Sequence, residues 1–285
     1  MIFGIVIGAV AVGLAAAVFY IRYKPADTSS LVAPYYQKED FVPPKRYKPP
    51  SYIEIEKRTA VKIPIIMYHY VEYVKDVNDL VKRKLAINPY TFDLQLKTFK
   101  DYNYETYFVR DMPAIIDGKI KVSTRSAILT FDDGYEDFYT DVLPILKKYN
   151  MKATLYIIYD YIGRKGFLTS AEIKEIAKSD LVEIGGHTLD HVYLKQIPSV
   201  VLKRQVTDVK TLLESDYGIK VDTFAYPYGP FSDEAIQAVK TASYSAAVSV
   251  IPGVIHSKDT LFYMSRIRAG ALVPGPSMVH FLDSY

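Results

Sequence analysis

The chain has 285 residues, 49% of them hydrophobic, which is enough for one sizeable domain with appendages. A net charge of +3 is too small to mark a nucleic-acid-binding surface. The absence of cysteine excludes thiolate metal sites, thiol catalysis and disulfides, while leaving an oxidising compartment open.

Met1 to Ile21 carries no charged side chain and is rich in Ile, Val, Ala and Gly. About 20 such residues span a bilayer as a helix. Residues 1–23 are therefore expected to be a transmembrane anchor or a signal peptide. Ala15-Ala16-Ala17 fits a small-residue cleavage site, yet no Lys or Arg precedes the apolar run. Arg22 and Lys24 follow it, and a positive-inside bias would keep the C-terminal side cytoplasmic. Against that bias, the expectation is a single-pass anchor in the cell membrane with the domain extracellular, or a secreted domain if residues 1–17 are cleaved. Residues 24–60 hold Pro25, Pro34, Pro43, Pro44, Pro49 and Pro50 among Tyr and Lys, the composition of a semi-extended linker.

Residues 61–285 read as one α/β domain. Ile63 to Val71 predicts the first strand, and Asn88-Pro89 a helix start with Phe92, Leu96 and Phe99 on one face. Strands follow at Glu105 to Val109 and Ser126 to Phe131. A helix follows at Tyr135 to Tyr149, kinked or split at Pro144. Lys152 to Ile158 is a strand, and Thr169-Ser170-Ala171-Glu172 a capping box opening the next helix. Leu181 to Gly186 is a strand, Ser199 to Ser215 a long amphipathic helix, and Phe224 to Tyr226 a strand. Ser232 to Lys240 (helix), Tyr244 to Val250 (strand), Arg266 to Arg268 (strand) and Ser277 to Ser284 (helix) close the chain. Strands alternating with helices indicate a parallel sheet.

Three of these strands run directly into chemistry. Ala127 to Phe131 ends in Asp132-Asp133-Gly134, Leu181 to Gly186 in His187-Thr188-Leu189-Asp190-His191, and Phe224 to Tyr226 in Pro227-Tyr228-Gly229. The C-terminal ends of parallel strands are where sites are built. His187 and His191 are four residues apart, so one helical turn would point both rings the same way. One added carboxylate from a neighbouring strand end gives two His and one Asp, a metal set with open positions for water and substrate.

In order and spacing, Thr130-Phe131-Asp132-Asp133-Gly134, His187 to His191 and Phe224 to Gly229 resemble the three main motifs of the polysaccharide deacetylases, family-four carbohydrate esterases. The resemblance covers roughly residues 61–285 and implies an irregular (β/α)7-type barrel. It implies that Asp133, His187 and His191 hold a divalent metal, most often Zn2+, with Co2+ or Ni2+ possible. Asp132 would be the general base, and the Tyr228 backbone N–H, fixed by Pro227 and Gly229, the oxyanion donor. The reaction would be hydrolysis of N-acetyl groups on an N-acetylglucosamine-containing polysaccharide. Partners would be that N-acetylated glycan and, through residues 1–21, a membrane. Two rivals are a membrane-tethered, non-catalytic glycan-binding domain of the same fold and a metal amidase acting on small cyclic amides.

Many members carry an Arg ahead of the Pro-Tyr-Gly turn, where this chain has Phe224-Ala225-Tyr226, a version more like the poly-N-acetylglucosamine deacetylases. Arg266 is the candidate to replace that charge, by pairing with Asp132 or meeting substrate. The family's late Leu-x-His motif is missing near the C-terminus. Met67-Tyr68-His69 has the same form on the first strand, a circular permutation that preserves the site if first and last strands are neighbours. His69 is then the expected general acid, across the metal from Asp132, with Met67 lining the pocket for the acetyl methyl. His256, in a loop, and His280, in the terminal helix, are expected to be structural.

Overall fold

The computed structural model describes residues 60–229 and 231–285, so the apolar terminus and nearly all of the linker lie outside the described residues. Its strands are β1 (Ala60–Lys62), β2 (Ile65–Tyr68), β3 (Tyr70–Val71), β4 (Ala86–Ile87), β5 (Glu105–Tyr107), β6 (Ser126–Phe131), β7 (Ala153–Ile157), β8 (Val182–Gly186), β9 (Thr223–Ala225), β10 (Ala246–Val248), β11 (Ile255–Ser257) and β12 (Ile267–Arg268). Every residue of β2, β6, β7, β8, β9 and β10 is buried. Unbroken burial of this kind marks strands covered on both faces.

The main sheet runs β10-β9-β8-β7-β6-β2-β12, and all of its pairings are parallel. β5 lies parallel against the first half of β6, ahead of the part that meets β7. The two edges of the sheet approach one another: Val248 of β10 forms a parallel bridge to Met264, three residues before β12. The Met264 N–H donates to the Ala247 carbonyl at 2.9 Å, and the Ser249 N–H to the Met264 carbonyl at 2.8 Å. The first and last strands of the sheet-forming chain are therefore neighbours, with Ile66 opposite Ile267.

The interior between these strands is filled by Ile63, Ile65, Ile128, Tyr156, Ala225, Ala246, Val248 and Met264. Val109, Met112, Ile115 and Ile116, from the segment after β5, join the same cluster and plug one end. Each fully buried aliphatic side chain here contributes roughly 1.5–3 kcal/mol. The plug also explains why β5 stops short of Val109. Asp111 accepts from the Phe108 N–H at 3.0 Å and turns the chain into a helical segment that runs on to Ile116.

Local signals act as the sequence predicts in two places. Asn88 caps Pro89–Asp101, which buries Phe92, Leu96 and Phe99. Thr169 and Glu172 exchange cap hydrogen bonds at the start of Ser170–Ile176. Pro144 acts more subtly than a break. It has no N–H to donate, and just before it the chain makes a π-turn over Phe138–Val142, continuing as an α-helix over Leu143–Tyr149. Among the described residues no helix is long and apolar enough to cross a membrane.

Candidate active site

The site is assembled at the C-terminal ends of β2, β6, β8 and β9. β6 delivers two consecutive acids, and the chain then turns sharply, with Asp133 at φ 75° and Gly134 at φ 77°. Left-handed backbone is uncommon for a non-glycine residue and is stored where the surroundings over-determine it. Both acids are buried.

β8 can carry His187 to its position because it ends in two glycines. A Cβ on Gly185 would lie 2.5 Å from the Tyr156 ring, and one on Gly186 2.7 Å from the Tyr244 hydroxyl. The His187 N–H continues the ladder by donating to the Ile157 carbonyl at 3.0 Å. Its ring Nδ1 lies 2.8 Å from the Ala225 carbonyl, an acceptor, so Nδ1 carries a proton and Nε2 is left facing Asp133. That Nε2 lies 3.3 Å from Asp133 Oδ1, and His191 Nε2 lies 3.1 Å from the same oxygen. The expectation of a helical turn linking the two histidines is corrected. Residues 187–191 form a non-helical loop in which Thr188 (φ 68°) and His191 (φ 61°) are both left-handed. The reversal of direction, not helical periodicity, brings the rings together.

These three residues fit a divalent metal. The ligand atoms of Asp133, His187 and His191 lie within 4.8 Å of one another, and Asp133 Oδ1 is buried with no hydrogen-bond donor. Two ring nitrogens facing one unpaired carboxylate oxygen in a buried site make an arrangement that a bound cation would satisfy. Two His and one carboxylate is the donor set of an open catalytic site for Zn2+ and its neighbours. Burial would raise the Asp133 carboxyl, but His187 and His191 outweigh it and hold the group well below its ordinary range.

Asp132 has different partners. The Arg266 guanidinium grips both of its oxygens, and also donates to Thr130 Oγ1 at 3.0 Å and to the Ser249 carbonyl at 2.7 Å. Burial acts to raise the Asp132 carboxyl, yet the Arg266 charge and hydrogen bonds bring it below its ordinary value, so it is a carboxylate at neutral pH. The pairing expected of Arg266 is thus observed. Its expected contact with substrate is corrected, because the side chain is 0% exposed and committed to Asp132, Thr130 and Ser249.

His69 lies just beyond β2, with Nε2 4.0 Å from Asp132 Oδ2 and its side chain 16% exposed. It stands beside Asp132 rather than across from it. β2 and β6 are adjacent parallel strands in the register Met67 to Thr130, which sets their ends next to each other. Met67 is buried on β2. Pro227 is buried too, and Tyr228 is turned outward. The Gly229 N–H donates to the Pro227 carbonyl at 2.6 Å across Tyr228 (φ 59°), a strained three-residue turn. The Tyr228 ring lies 4.3 Å from His191 and stacks on Tyr193 at 4.2 Å. Sequence reading did not single out Tyr193 or Ser249. Neither carries a motif, and only the fold brings them to the site. His256 is in β11 rather than a loop, buried with Nε2 2.9 Å from the Ile63 carbonyl, and His280 is exposed on Pro276–Asp283.

The family model for polysaccharide deacetylases matches residues 119–247, which contain the Asp132-Asp133 and His187–His191 strand ends and the Pro227-Tyr228-Gly229 turn. The structure of the Streptococcus pyogenes deacetylase PplD in complex with acetate is 31% identical, with a TM-score of 0.68, over 78% of this chain and 97% of that one. The chain belongs to the polysaccharide deacetylase family. A polysaccharide deacetylase from Bacillus cereus is 27% identical with a TM-score of 0.66, over 79% of this chain and 69% of that one. The poly-β-1,6-N-acetyl-D-glucosamine N-deacetylase of Staphylococcus aureus is 26% identical over 77% of this chain and 81% of its own length. This polysaccharide deacetylase is accordingly an enzyme, an N-deacetylase.

Proposed function

We propose that this deacetylase removes N-acetyl groups from a polymer of N-acetylglucosamine at the cell surface, with a divalent metal, Zn2+ first among candidates, held by Asp133, His187 and His191. The observation that carries this reading is the adjacency of two differently wired acids. Asp133 faces two imidazoles, while Asp132 is locked to Arg266. A metal bound there would polarise the acetyl carbonyl and make water nucleophilic near neutral pH.

The chain's own residues do the remaining work. Asp132, ionised and oriented by Arg266, accepts the proton of the water that attacks the acetyl carbonyl carbon. The Tyr228 backbone N–H, fixed in its strained turn, is assigned to the oxygen on which negative charge develops. One such donor is worth roughly 3–4 kcal/mol. The C–N bond then breaks, and His69 gives a proton to the departing nitrogen, yielding acetate and a free amine. Its place 4.0 Å from Asp132 sets the proton donor beside the base, on the next strand end. Met67 and Pro227 are assigned to the pocket wall. The polymer is named from the N-deacetylase of Staphylococcus aureus, and the surface location from the apolar Met1 to Ile21.

Acetate release from poly-β-1,6-N-acetylglucosamine, chitin oligomers, peptidoglycan and a small cyclic amide tests the proposal. The β-1,6-linked polymer is expected to be turned over fastest. Hydrolysis of the cyclic amide alone would overturn it in favour of a small-amide hydrolase.

A further inference from the structure

The loop from His187 to His191 has to reverse within four residues while holding two left-handed non-glycine residues, Thr188 and His191. Such a backbone persists only where its surroundings fix it. Its hydrogen bonds show what does so. The His191 N–H donates to Thr188 Oγ1 at 2.9 Å, inside the loop. The Leu189 and Asp190 N–H groups both point to one atom outside it, Oε1 of Gln205, at 2.9 and 3.4 Å. From the other side, the Tyr159 and Asp160 N–H groups donate to the carbonyls of Thr188 (3.2 Å) and Leu189 (2.8 Å).

Gln205 reaches the loop from an irregular place. It lies in a π-turn, Arg204–Asp208, between the α-helical stretches Ser199–Lys203 and Val209–Tyr217. Such turns insert an extra residue into a helix and recur at functional sites. This one is braced: the Val206 carbonyl accepts from the Tyr244 hydroxyl at 3.0 Å, the same hydroxyl against which Gly186 packs. Gln205 is buried, so its amide oxygen is committed to these two donors rather than to water.

We infer that Gln205 is a positioning residue for the metal: its Oε1, aimed by the π-turn, fixes the loop that sets His191 against Asp133. This rests on the reading of Asp133, His187 and His191 as metal ligands. Groups that hold metal ligands in place typically change affinity by about 10–100-fold when removed.

The test titrates Co2+ into metal-free protein by calorimetry and follows its visible absorption, for wild type, Gln205→Met and Gln205→Glu. Gln205→Met keeps length and shape but loses the acceptor, and Gln205→Glu keeps an acceptor oxygen. The expected result is a 10–100-fold weaker affinity for Gln205→Met, with an altered Co2+ spectrum, and an affinity within about threefold of wild type for Gln205→Glu. Equal affinities for wild type and Gln205→Met, or equal losses in both variants, would overturn the assignment. Should a variant fail to fold, amide hydrogen exchange in metal-free wild type decides. Slow exchange at Leu189 and Asp190 supports the inference and fast exchange overturns it. Failure of wild type itself to bind Co2+ would instead sink the metal reading, and the exchange measurement would still judge Gln205.

Discussion

Arg266 holds Asp132 through two parallel hydrogen bonds, 2.8 Å to Oδ1 and 2.7 Å to Oδ2, with both side chains buried. Paired, planar contacts of this kind fix orientation as well as charge. Taking one partner from a buried pair costs on the order of 3–5 kcal/mol, because the other is left charged and alone. Arg266→Met is therefore expected to lower stability by about that amount and to abolish turnover, and Asp132→Asn, which leaves the guanidinium charged in place, to lower stability too. Denaturant unfolding with a turnover assay checks both. Normal turnover in Arg266→Met would mean that the pair does not set up the base.

The two neighbouring acids are expected to separate cleanly on substitution. Asp132→Asn should lower kcat by roughly 10²–10⁴ with one metal still bound per chain. Asp133→Ala and His187→Ala should lose the metal. Elemental analysis after dialysis gives the readout, and loss of metal from Asp132→Asn would break the division of roles.

His69→Ala is expected to lower kcat by roughly 10²–10⁴ and to remove the alkaline limb of the pH–rate profile, with metal affinity unchanged. Its ring stands 4.0 Å from Asp132 and outside the cluster of Asp133, His187 and His191. A shift in metal affinity as large as the shift in rate would make His69 a ligand instead of a proton donor.

Glu183 lies in the sheet interior, accepting from the Thr154 and Thr223 hydroxyls at 2.8 and 2.9 Å and from the Arg110 N–H at 3.2 Å. Burial pushes its carboxyl from 4.5 up to about 7. The folded state therefore holds a proton that the unfolded chain has released. The resulting stabilisation is full below about pH 4.5 and is lost as pH rises to about 7, on the order of 3 kcal/mol in all. Glu183→Gln should flatten the stability profile across that window in urea unfolding at stepped pH. An unchanged slope would place the titration elsewhere.

Removing residues 1–24 is expected to give a soluble enzyme with unchanged activity on short oligosaccharides, since the Pro-rich stretch from Pro25 to Pro50 separates the apolar run from the domain. Fractionation and a turnover assay on full-length and shortened chains check this. Loss of folding in the shortened chain would mean that the apolar run packs on the domain.

Much of the site could be read in the sequence because its residues follow strands directly. Asp132, Asp133 and His187 need only a parallel sheet to converge, and hydrophobic patterning gives that sheet. Caps such as Asn88 and Thr169 were legible because their chemistry is local. Whatever depended on distant partners was harder to read. The Arg266–Asp132 pair joins residues 134 apart in the chain, and the loop geometry at His191 depends on Gln205 and Thr188 together. The four-residue spacing of the histidines suggests a helix, but left-handed backbone at Thr188 and His191 satisfies the same spacing without one. The position of His69 beside Asp132 follows from the pairing of β2 with β6, which no local pattern encodes.

The most direct test of the central claim is a titration of metal-free enzyme with Zn2+, following bound metal and acetate release from poly-β-1,6-N-acetylglucosamine together. Activity is expected to rise in step with occupancy, to level off at one metal per chain, and to vanish with chelator. In Asp133→Ala neither quantity should rise at the same metal concentrations. Full acetate release by metal-free enzyme, or activity in Asp133→Ala equal to that of the wild type, would contradict the account.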